Sequence, residues 1–64
     1  VKVKIARIKK GLTQMELREL VKPMSLSTIV KIERGDVNGL TLGQAKRIAK
    51  ALDTTVEELF FKEG

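Results

Sequence analysis

Three short strings in a chain of 64 residues mark where its helices begin. Thr13-Gln14-Met15-Glu16, Thr41-Leu42-Gly43-Gln44 and Thr55-Val56-Glu57-Glu58 each set a Thr three positions ahead of Glu or Gln. In this arrangement the hydroxyl accepts a hydrogen bond from a backbone N–H of the first turn. The later side chain reaches back to the N–H of the capping residue. Both N–H groups would otherwise lack partners at a helix start. Three such signals in so short a chain mark three helix starts and point to an all-α fold.

The other helices follow from spacing and from breakers. Val1-Lys2-Val3-Lys4-Ile5 alternates as a strand does, yet no second convincing strand exists to pair with it. Val1, Ile5, Ile8 and Leu12 share one helical face, and Gly11 suits a helix stop, so a first helix is expected over about residues 3–10. A second should run from Gln14 to about Val21 and bury Leu17, Leu20 and Val21, with Pro23 blocking its continuation. Ser25 suits the N-cap of a third, with Ile29 and Ile32 facing inward and its end before Gly35. Asp36-Val37-Asn38-Gly39 reads as a loop. The fourth helix begins after Thr41 and should bury Leu42, Ala45, Ile48, Ala49 and Leu52. The fifth follows Thr55 and should bury Val56, Leu59 and Phe60. The expected architecture is a compact bundle of five short helices, one domain over residues 1–64.

Composition narrows the function. The chain has no Cys and no His, which removes disulfides and a Cys/His zinc site as stabilising staples. Tyr and Trp are also absent, so the usual nucleophile–base pairs cannot be assembled and an enzyme is not expected. No cofactor or small-molecule ligand is suggested. Charge is unevenly spread: residues 1–34 hold nine Lys/Arg against Glu16, Glu19 and Glu33, whereas residues 35–64 hold four against five acids. A basic half suits a polyanion, although solubilising charge would look the same. No apolar run approaches a membrane span and no signal-peptide core is visible. The chain opens on Val1 rather than Met, and a cytoplasmic protein is expected.

The string Gly11-Leu12-Thr13-Gln14, followed by Ser25-Leu26-Ser27-Thr28-Ile29-Val30-Lys31-Ile32-Glu33-Arg34-Gly35, resembles the Cro/repressor (XRE-type) helix-turn-helix family. Ile48-Ala49-Lys50-Ala51-Leu52 and Val56-Glu57-Glu58-Leu59-Phe60 resemble that family's closing segments, so the likeness spans nearly the whole chain in order. It implies a lambda-repressor-like fold and sequence-specific binding of double-stranded DNA, with the third helix in the major groove. The implied protein is a bacterial or phage transcriptional regulator, repressor more often than activator. An antitoxin that grips a toxin protein with the same fold is the alternative. A module that does not bind DNA, its basic face incidental, is a third.

Helical rotation tests the implied docking. At about 100° per residue from Ile29, the core direction lies near 330°, while Ser27, Lys31 and Arg34 fall at roughly 160°, 200° and 140°. Lys31 can donate to guanine or to phosphate, and Ser27 can bond to several bases. Leu26 resembles the family's first base-contacting position and suits a thymine methyl; Leu26 and Val30 could equally pack against the second helix. The base contacts implied are therefore Leu26, Ser27, Val30 and Lys31, and the phosphate contacts Gln14, Ser25, Thr28, Arg34, Asn38 and Gly39. Gln14 is expected also to prop the first residues of the third helix. Asn38 and Gly39 could clamp phosphate with backbone amides or form an ordinary turn. Glu33 lies near the core direction, so its carboxylate needs a partner, and the family pattern offers Arg7.

The chain departs from the family pattern at two places. Arg18 stands where a small Ala is usual, and Lys22-Pro23-Met24 makes the turn before Ser25 one residue longer, with Met24 expected at its apolar position. Phe61 is expected to be exposed and to join a weak homodimer through the fifth helix.

Overall fold

The computed structural model describes residues 1–61 and contains five helices: α1 (Val3–Lys9), α2 (Gln14–Leu20), α3 (Leu26–Glu33), α4 (Leu42–Ala51) and α5 (Glu57–Phe61), the last a single π-type turn. Among the described residues there is no strand. The starts are built as their sequences dictate. At α2, Thr13 Oγ1 accepts from Glu16 N at 3.1 Å while Glu16 Oε1 accepts from Thr13 N at 2.8 Å. At α4, Thr41 and Gln44 exchange the same pair of bonds, each at 3.1 Å. Thr55 Oγ1 accepts from Glu58 N, also at 3.1 Å.

The ends are closed by backbone. After α3, Gly35 N donates to Ile32 O and Asp36 N to Lys31 O, both at 2.9 Å, with Gly35 at φ +93°. This paired closure satisfies two orphan carbonyls and requires a left-handed residue, which Gly adopts without strain. Gly11 closes α1 in the same way. The left-handed residue after α4 is Asp53 at φ +55°, whose carboxylate meets Lys10 from the end of α1.

One core joins all five helices: Val3, Leu17, Val21, Met24, Ile29, Ile32, Ile48, Ala49, Leu52 and Leu59. Two expectations about burial change, at Leu20 and Leu42. On α1, Val3 turns inward while Ile5 and Ile8, like Val1 ahead of the helix, are exposed; of that apolar face Leu12, beyond the helix, packs on the core. Leu20 is 55% exposed, because α2 ends there and Val21 takes the core position instead. Leu42 is 62% exposed, being the first residue of α4, where Ala45, Ile48 and Ala49 already face the core. Val56 and Phe60 are half-buried against the core, and Leu59 alone of that trio is fully enclosed.

Candidate nucleic-acid interface

The helix-turn-helix unit is α2, the turn through Val21–Ser25, and α3, and α3 is oriented by what lies beneath it. Ile29 and Ile32 are buried, and Ser27 and Lys31 on the other side of the helix are exposed. Val21 and Met24 of the turn are both in the core, and the Lys22–Pro23 bond is cis. Arg47 of α4 braces it, Nη1 donating to Lys22 O at 2.6 Å. Arg18 is half-exposed and bonds Glu19 at 2.9 Å, but its Nε is buried without a partner.

The far end of α3 is held by a three-way polar contact. Arg7 Nε donates to Glu33 Oε2 at 2.7 Å, with side chains only 11% and 4% exposed. Arg7 Nη2 reaches Glu33 Oε1 at 3.3 Å, and Nη1 donates to Leu12 O at 2.7 Å. Gln14 Nε2 donates to the same Glu33 oxygen at 2.9 Å. Gln14 therefore props the last turn of α3, not its first residues as expected: its position at the first turn of α2 lies within reach of Glu33. Such charge-assisted bonds between parallel groups are the strong kind, and they fix α3 against both α1 and α2.

The N-terminal end of α3 carries a cluster of hydroxyls. Ser25 Oγ accepts from Thr28 N at 3.3 Å and lies 2.9 Å from Thr28 Oγ1 and 3.2 Å from Ser27 Oγ. Sequence reasoning placed these residues individually but not as a set. Leu26 and Val30 are half-buried, so each is partly committed to the fold and partly available on the helix surface. Lys31 and Arg34 are exposed, and among the described residues neither forms an ion pair.

A cleft of about 150 Å³ between α3 and the loop after it gathers Thr28, Lys31, Asn38 and Gly39, together with Asp36 and Gln44. The loop is only partly the amide cradle that was expected. Asn38 N already donates to Asp36 Oδ1 at 3.2 Å, which occupies one N–H and sets a carboxylate beside it. Phe61 is 75% exposed and lies with Val1, Val37 and Leu42 around an apolar groove of about 320 Å³.

The exposed face of α3 thus carries hydroxyls and two uncommitted cations on a rigidly held helix. A helix-turn-helix family model matches residues 3–59, which covers α1 through most of α5. No curated protein and no solved structure gives a match. From the match over nearly its full length, the chain belongs to the helix-turn-helix family of the Cro/repressor type.

Proposed function

We propose that the domain is the sequence-reading part of a cytoplasmic transcriptional regulator, acting as a repressor, with α3 lying in the major groove. Family membership makes DNA the partner, and a DNA-binding domain that fills residues 3–59 fits a regulator rather than an enzyme. The observation that carries the reading is the outward pair Ser27 and Lys31 above buried Ile29 and Ile32. Leu26, Ser27, Val30 and Lys31 are assigned to base edges, Lys31 as a donor to guanine and the apolar pair to thymine methyls. Ser25, Thr28, Arg34, Asn38 and Gly39 are assigned to phosphates. Gln14 joins them through the amide hydrogen that Glu33 does not take.

Lys31→Ala tests the assignment. It should cost about 1–3 kcal/mol on the preferred sequence and relax the preference at one base pair, leaving the salt dependence nearly unchanged. Equal weakening on every sequence, with the log K against log salt slope reduced by about 1, would make Lys31 a phosphate contact instead.

Two copies would read two half-sites about 34 Å apart. The groove flanked by Phe61, Leu42, Val37 and Val1 is the surface we assign to that second copy, since four exposed apolar side chains meet there. Sedimentation at millimolar concentration should show association that Phe61→Glu abolishes. A wild-type monomer at that concentration would remove the dimer.

A further inference from the structure

The outer side of α4 is cationic and takes no part in the surface assigned above. Ala45, Ile48 and Ala49 are buried, and Lys46, Arg47 and Lys50 project from the opposite side. With Lys22 from the turn they ring a groove of about 690 Å³, which also includes Leu20 and Ala51. No acidic residue lines it. The acid paired with Lys22 is Glu19, which Arg18 also engages; the Lys22 bond and charge, then Arg18, hold its carboxyl below the ordinary range. Lys46 and Lys50 have no ion pair among the described residues. Arg47 is pinned to Lys22 O, which fixes one wall of the groove.

Four cations around a partly apolar floor suit a nucleic-acid backbone, whose phosphates alternate with apolar sugar rims. None of these four cations is among the residues assigned to the duplex on α3. Ile29 and Ile32 of α3 and Ile48 and Ala49 of α4 belong to the same core, and each helix turns its exposed side away from it. We infer that the α4 groove binds the phosphate backbone of a second DNA segment, so that one domain can bridge two duplexes. This rests on the DNA-binding assignment for α3 and adds a separate surface to it.

The test uses a short duplex selected for binding by the wild-type chain, immobilised on beads, and a second labelled duplex free in solution. Wild type should retain the labelled duplex on the beads, and Lys46→Glu with Lys50→Glu should reduce retention about ten-fold, because bridging depends on those charges. The same variant should keep the affinity, base preference and salt slope of wild type for one duplex, which also shows that it folds. Bridging is overturned if wild type retains no labelled duplex, or if the variant retains as much. A reduced salt slope on the single duplex would overturn it too, placing both lysines on the α3-bound DNA. Loss of all wild-type binding to single duplexes would instead strike the α3 assignment.

Discussion

Glu33 shows how one side chain can set the orientation of a helix. Its carboxylate is almost completely withdrawn from water and accepts from Arg7 and Gln14, which come from two other helices. Removing Arg7 would leave that charge buried without its counterion, a change that typically costs about 3–5 kcal/mol. Arg7→Ala should therefore lower the thermal midpoint sharply or unfold so small a domain, read by circular dichroism; an unchanged midpoint would deny the pair any structural role. Arg18 is the opposite case. Its buried Nε has no acceptor, and an unsatisfied buried donor costs about 1–3 kcal/mol. Arg18→Ala removes that donor and adds helix propensity, so it should raise stability by about 1 kcal/mol, a midpoint gain of roughly 4–8 °C in a domain of this size. A lower midpoint would show that the Arg18 stem contributes more by packing than its head loses.

At the scale of the elements, helix starts were the most legible feature of the chain. Each Thr–Glu or Thr–Gln spacing acts through local hydrogen bonds that need no tertiary information, and α2 and α4 begin where those strings place them. Burial was less legible, because periodicity shows which residues share a face but not which face meets the core. On α1 Ile5 and Ile8 are on the outer side, while Arg7 turns inward to meet Glu33. Leu20 and Leu42 were misplaced for a related reason: at a helix end the neighbouring chain decides the covering. The two classes of leucine should separate in stability measurements. Leu17→Ala, at 0% exposure, should cost about 2–5 kcal/mol in chemical denaturation, and Leu20→Ala should stay within about 0.5 kcal/mol. Equal costs would contradict the assigned core. Within the candidate site, the outward direction of Ser27 and Lys31 followed from the spacing of Ile29 and Ile32. The hydroxyl cluster at Ser25 and the Asp36 bond to the Asn38 amide depend on loop geometry that no periodicity encodes.

For the whole molecule, three surface patches differ in character. The α3 side carries unpaired Lys31 and Arg34, the α4 side carries Lys46 and Lys50, and Phe61 lies at the edge of a separate apolar groove. Among the described residues no helix is long and apolar enough to cross a membrane. On the assignments proposed above, the reading surface, the cationic groove and the face for another copy share no residue. The most direct measurement is amide chemical-shift mapping as a selected short duplex is titrated into the labelled domain. The largest changes should fall on Ser25–Arg34 and on Gln14, Asn38 and Gly39, with Ile5 and Ile8 unmoved. Changes confined to other surfaces, with Ser27 and Lys31 unaffected at saturation, would contradict the account.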